Sequence, residues 1–160
     1  MLLPILVAVC LRNGMAPSGV LIPMGLATLI GEELDMDPAL FALNFAGPHA
    51  DYNNPDMGVQ GTGGSNSLKA HYYQLRQVGA DTRQLLLNAA AQDLSVSKDS
   101  LSTDNGHIVS GDERHPYGQF IATAASLNMP EDTPLKANSA FQYIGKEKVC
   151  YIPIFQHGYK

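Results

Sequence analysis

The stretch GVQGTGGSNS, residues 58–67, places four glycines within seven residues and then runs straight into a helix-forming sequence. Glycine loses the most conformational freedom on ordering, so such a cluster marks a backbone that needs positive φ or close approach to something. At a helix N-terminus the unsatisfied N–H groups and the macrodipole both favour an anion. Gln60 adds a carboxamide, Thr62 and Ser65 add hydroxyls, and the backbone from Gly61 to Asn66 can form an anion nest. The competing reading is a tight turn whose Ser65 or Ser67 caps the helix. Capping accounts for one serine but not for the run of glycines. The common phosphate and nucleophile patterns are absent: Asn66 breaks GxGxxG, no Gly-Lys pair is followed by Ser or Thr, and no GxSxG surrounds Ser65.

Other residue types offer less chemistry. Glu32 and Glu33 are adjacent, which is tempting for acid–base work. Neighbouring helix positions point about 100° apart, however, so they are read as a mainly solvent-facing pair. From Gln60 to Arg83 the charges are Lys69, Arg76 and Arg83 against Asp81, a basic island in a chain of net charge −5. Arg76 and Arg83 are read as solvated, and Lys69 is left open between solvation and a ligand. The acidic balance argues against a nucleic-acid partner, which needs a dense basic surface. Cys10 and Cys150 have neither CxxC nor metal-ligand spacing, and the five histidines form no HxxxH pair. No iron–sulfur cluster or structural zinc is therefore assigned to this chain.

The elements that must position the glycine turn follow from periodicity. In 160 residues, one modest domain is expected. GLATLIGEEL, 25–34, sets Leu26, Leu29, Ile30 and Leu34 on one helical face, and DMDP stops it. LFALNFA, 40–46, alternates like a strand, and a Gly-, Pro-, Asn- and Asp-rich loop then runs from Gly47 to Ser67. Loops of that length are usually functional or disordered. Leu68, Tyr72, Leu75, Gly79, Thr82, Leu86, Ala89 and Asp93 trace one side of a helix about 39 Å long. Gly79 on that stripe either admits a close neighbour or kinks the helix. Residues 101–110 read as a hairpin turning at Asn105-Gly106. A short helix is expected over 117–127, a linker over 129–134 and a strand over 141–145. The apolar run Leu2–Leu11 is too short to span a bilayer and reads as a buried strand. The expected class is α+β: a small mixed or antiparallel sheet packed by one long and one or two shorter helices.

Several segments, GLATLIGEELDMD, GVQGTGGSNS, LRQVGADTRQLLLNAAAQ, DNGHIVS, YGQFIATAASL and LKANSAFQYIGK, occur in the order found in one family. The chain resembles the molybdenum-binding large subunit of xanthine-dehydrogenase-type hydroxylases, in the isoquinoline 1-oxidoreductase beta-subunit branch, from about Gly25 to Lys146. The resemblance implies part of a larger molybdopterin-binding domain over 25–146, with divergent segments at 1–24 and 147–160. It implies molybdopterin cytosine dinucleotide as cofactor, contacted by Gln60, Gly61, Thr62, Gly63, Gly64 and Ser65. It further implies hydroxylation of an aldehyde or N-heterocycle with oxygen from water, and electron transfer to a separate [2Fe–2S] small subunit. Three departures stand out. The family's glutamine beside the molybdenum aligns near Val20, and the family's catalytic glutamate lies beyond the matching region, so the resemblance assigns no catalytic or metal-ligating residue here. The two ends also leave the family pattern, so a truncated or frame-shifted piece of a large subunit, inactive alone, is expected. Compartment stays open between cytoplasm and periplasm.

Overall fold

The computed structural model describes residues 21–42, 49–61, 63, 64, 66–131 and 133–146. Helix α1, Leu21–Leu34, begins four residues before the expected start, with Pro23 tolerated in its first turn. Asp35 at φ +51° and a bond from Met36 N–H to the Gly31 carbonyl (3.0 Å) close it with a left-handed terminal residue. Helix α2, Asn66–Leu94, is continuous through Gly79 and ends the same way: Ser95 has φ +56° and Val96 N–H reaches the Ala91 carbonyl at 3.1 Å.

The two helices touch closely. A Cβ on Gly79 would lie 2.6 Å from the Ile30 carbonyl oxygen and 2.9 Å from Glu33 Cβ, so this glycine lets α1 approach rather than kinking α2. Leu68 lies against Gly25, Arg76 meets Glu33 and Arg83 meets Asp35, so contacts ascend together along both helices. Helices running in the same direction need a long return connection, which gives the stretch after Asp35 a structural reason to exist. From Met24 to Leu34, α1 is buried almost all round, as expected of a central helix.

Three antiparallel strands follow in the order β1 (Leu101–Asp104), β2 (His107–Ser110) and β3 (Glu113–Pro116). The Asn105-Gly106 turn is as expected, with φ of +42° and +78°. The third strand is additional: Gly111, at φ +59°, makes a second two-residue hairpin with Asp112. Thr103, Ile108 and His115 are cross-strand partners in one row, and fully buried Ile108 centres the sheet's contribution to the core. The architecture is thus α+β, with an antiparallel sheet against the helices.

Five expectations change. Pro38–Leu40 is a 3₁₀ turn, with Asp37 capping the Ala39 N–H at 2.9 Å, and Phe41 and Ala42 are not strand. An Asp-Pro start pre-organises a helical turn more strongly than alternation favours a strand. Residues 43–46, like the expected strand Leu2–Leu11, lie outside the described residues. Residues 117–127 form a 3₁₀ turn, Tyr117–Phe120, and a single turn of α3, Ile121–Ala124, with Tyr117, Phe120 and Ala124 buried. Residues 141–145 are a turn rather than a strand, because three of their N–H groups are taken by a side chain instead of a neighbouring strand.

Finally, Glu32 and Glu33 do not face solvent; both are fully buried. Glu32 accepts from the N–H groups of Gln142, Tyr143 and Ile144 at 2.7–2.9 Å. Glu33 accepts from Arg76 Nε (2.8 Å) and Lys136 N–H (3.1 Å). Asp35 binds Thr103 Oγ1, Arg83 and the Lys136 ammonium. Arg76 and Arg83 are therefore partners of buried carboxylates, not solvated cations. The Arg76 guanidinium also lies 5.2 Å from the Tyr72 ring centre and 4.9 Å from that of Phe141. Three cations answer three carboxylates, which is what makes their burial tolerable.

Candidate functional site

The glycine turn is held by an arm that organises itself. Asn54, only 4% exposed, bonds its N–H to the Val59 carbonyl at 3.0 Å. Its own carbonyl accepts from Met57 (3.1 Å) and Gly58 (2.8 Å). Its side-chain oxygen accepts from Asp56 N–H at 2.9 Å, and Asn53 Nδ2 donates to the Gly58 carbonyl at 2.9 Å. Asn66, the first residue of α2, donates from Nδ2 to the Asp56 carboxylate at 3.0 Å. The arm is thereby tied to the start of the helix it precedes. These Asn and Asp contacts were not singled out in the sequence, although NNPD has turn-forming composition.

Between arm and helix, Gly64 takes φ +56°, a conformation L side chains rarely adopt, and the Asn66 N–H closes back onto the Gly63 carbonyl at 3.1 Å. A Cβ built on Gly63 or Gly64 meets nothing within 4 Å among the described residues, and both glycines are exposed. Gln60 is half-buried. Its Oε1 accepts the His49 N–H at 3.2 Å, while its Nε2 is buried with no partner among the described residues. That leaves a carboxamide held through Oε1, with neither of its two N–H donors paired among the described residues. Thr62 and Ser65 lie outside the described residues. Of the six expected contact residues, Gln60, Gly61, Gly63 and Gly64 are described, in the segment of chain that leads into α2.

The electrostatics are mixed. The first turn of α2 contains no acidic residue, and exposed Lys69 is one helical step beyond it. The Asp56 carboxylate already shares the positive end of the helix through Asn66, so an anionic ligand would sit beside it. Among the described residues no group of three His, Cys, Asp or Glu could hold a metal ion. No helix among them is long and apolar enough to cross a membrane.

The buried carboxylates are the other conspicuous charge cluster, but their oxygens are spent on backbone amides and cations, so they hold segment 133–146 against α1 and α2. Tyr117 belongs to the same region: its hydroxyl donates to the Leu34 carbonyl at 2.8 Å. Burial first, then the Asp35 charge, pushes that phenol above its ordinary range.

The described residues thus form an α+β segment in which an exposed glycine turn leads into a long helix. In sequence it is similar to segments of two oxidoreductases. Over 113 residues it is 33% identical to the isoquinoline 1-oxidoreductase subunit beta of Brevundimonas diminuta, covering 68% of this chain and 14% of that protein. Over 144 residues it is 26% identical to the membrane-bound aldehyde dehydrogenase (pyrroloquinoline-quinone) of Gluconacetobacter polyoxogenes, covering 87% of this chain and 18% of that protein. The chain thus spans less than a fifth of the length of either relative. No protein-family model matches it.

Proposed function

We propose that the chain is a cofactor-contacting segment of a molybdenum hydroxylase large subunit, its matching part running over 25–146 between divergent ends at 1–24 and 147–160. In this reading Gln60, Gly61, Thr62, Gly63, Gly64 and Ser65 hold the pterin and pyrophosphate region of molybdopterin cytosine dinucleotide. Gly64 turns the backbone, Gly63 leaves room for the ligand, Gln60 Nε2 donates to it, and the α2 N-terminus faces the pyrophosphate charge. The cofactor, when bound, supplies oxidative hydroxylation of an aldehyde or N-heterocycle with oxygen from water. Electrons then pass to a [2Fe–2S] small subunit. This chain provides no catalytic or metal-ligating residue and is inactive without the remainder of the large subunit.

The observation that carries the reading is that a Cβ on Gly63 or Gly64, just before a 29-residue helix, would meet nothing within 4 Å among the described residues. The test is thermal stabilisation by cytidine diphosphate, the fragment of the cofactor nearest the turn. A ligand that binds only the folded state raises stability by mass action. A shift that rises with millimolar cytidine diphosphate is expected, with low affinity because the other walls of the site are missing. Gly64→Val should abolish the shift while leaving far-UV helix content unchanged. Absence of any shift for the wild type refutes an intact site.

The alternatives are a standalone nucleotide- or phosphate-binding module and a non-catalytic structural partner. Shifts of equal size with inorganic pyrophosphate and with cytidine diphosphate would favour the module. Pyrroloquinoline quinone, named for the second relative, carries carboxylates rather than a pyrophosphate. A shift with it alone would move the assignment away from molybdopterin.

A further inference from the structure

The Asn105-Gly106 turn has no part in that site, yet it holds the components of a covalent reaction. In Asn-Gly sequences the glycine nitrogen, unhindered by a side chain, can attack the asparagine Cγ. The nitrogen loses its proton to hydroxide, a carbon–nitrogen bond forms, and the side-chain nitrogen leaves as ammonia. Water then opens the resulting succinimide to aspartate or isoaspartate. Attack needs a free glycine N–H and a carboxamide able to swing towards it.

Both requirements are blocked here by the same short stretch of chain. Gly106 N–H donates to the Asp35 carbonyl at 2.9 Å. Asn105 Oδ1 accepts the Asp37 N–H at 3.0 Å. The turn that ends α1 therefore grips the nucleophilic nitrogen with one residue and the electrophilic carboxamide with another, although Asn105 itself is exposed to water. We propose that Asn105 is a deamidation site masked by docking of the β1–β2 hairpin onto Asp35–Asp37, so that this covalent change occurs when the hairpin lifts off. The product adds a carboxylate close to Asp35, Asp37 and Asp104. Isoaspartate also lengthens the backbone within a two-residue turn. Both changes oppose redocking, which makes the modification a one-way record of hairpin opening.

The sequence contains a second Asn-Gly pair, Asn13-Gly14, which serves as a chemical reference in the unfolded chain. The protein is incubated at mildly alkaline pH, folded or in concentrated urea, and each site is followed by peptide mass spectrometry. In urea the two sites should convert at similar rates, and folding should slow Asn105 at least tenfold. Equal rates at Asn105 with and without urea would overturn the proposal. Asp37→Pro deletes the N–H that holds Oδ1, and its φ of −57° already suits proline. Asp37→Ala keeps that N–H while removing the same side chain. Faster conversion at Asn105 in Asp37→Pro than in Asp37→Ala is expected, and equal or slower conversion refutes the masking role of the bond. The wild-type comparison stands even if the proline variant fails to fold.

Discussion

Replacing Gly79 by alanine sets two physical effects of opposite sign against each other. In an unpacked helix the exchange would stabilise by about 1 kcal/mol, through backbone entropy alone. At this position the new Cβ would meet the Ile30 carbonyl oxygen at 2.6 Å and Glu33 Cβ at 2.9 Å. Neither atom can rotate away, so α1 and α2 must part by about 0.8 Å to restore a 3.4 Å contact. A gap of that size forfeits about a quarter to a half of the dispersion well for each facing atom pair. Overpacking costs about 1–3 kcal/mol, and a backbone clash belongs at the upper end. Less the propensity gain, about 2 kcal/mol of destabilisation remains. Separation also stretches the Glu33–Arg76 contact, 2.6 Å at its shortest and within one turn of the new methyl group. Urea titration followed by far-UV circular dichroism reads the difference as a lower midpoint at unchanged slope. A midpoint at or above that of the wild type would show that the helices do not meet at Gly79.

Arg76→Ala leaves Glu33 buried with only the Lys136 N–H and should cost about 3–5 kcal/mol in the same titration. Replacing Glu33 and Arg76 together by methionine should cost far less, and equal losses would refute a coupled buried pair. Tyr117→Phe removes the donor to the Leu34 carbonyl and should cost about 1 kcal/mol at neutral pH. Because the folded-state phenol titrates above its ordinary value of 10.0, its contribution is complete below that pH and is lost as pH rises beyond it. Wild-type stability should therefore fall more steeply than that of Tyr117→Phe above about pH 10. Parallel pH profiles would refute burial of the ionising group.

The long helix was legible because its apolar stripe repeats over many turns, and the first hairpin because Asn-Gly permits few alternatives. The third strand was missed because it has little apolar alternation: Glu113 and Arg114 are exposed, and only His115 turns towards the core, its ring 6.0 Å from that of Phe120. The buried charges were misread for a related reason. Helical spacing says which residues share a face, but not whether a second helix and a returning segment cover that face. Glu32 is buried by the backbone of Gln142–Ile144, over a hundred residues away, and no local pattern announces such a partner. At the site, the glycine cluster was visible at once. The Asn54 arm that supports it is made of hydrogen bonds within a loop, whose composition marks a turn without specifying its geometry.

The choice between a capping turn and an anion nest then narrows to which glycines the fold itself requires. Gly64 is required, since its φ of +56° disfavours a side chain whether or not anything binds. A capping turn needs that residue and a serine, and nothing more. Gly63 is different: a Cβ there meets no described atom within 4 Å. Packing against the described residues does not explain its lack of a side chain. Under the proposed function a ligand would explain it, because a Cβ would take up space that the ligand needs for approach to the backbone. A few residues earlier in the chain, the Gln60 carboxamide has a buried Nε2 with no partner among the described residues. A cap satisfies helix N–H groups and makes no use of that donor, whereas an anionic ligand would use both features together.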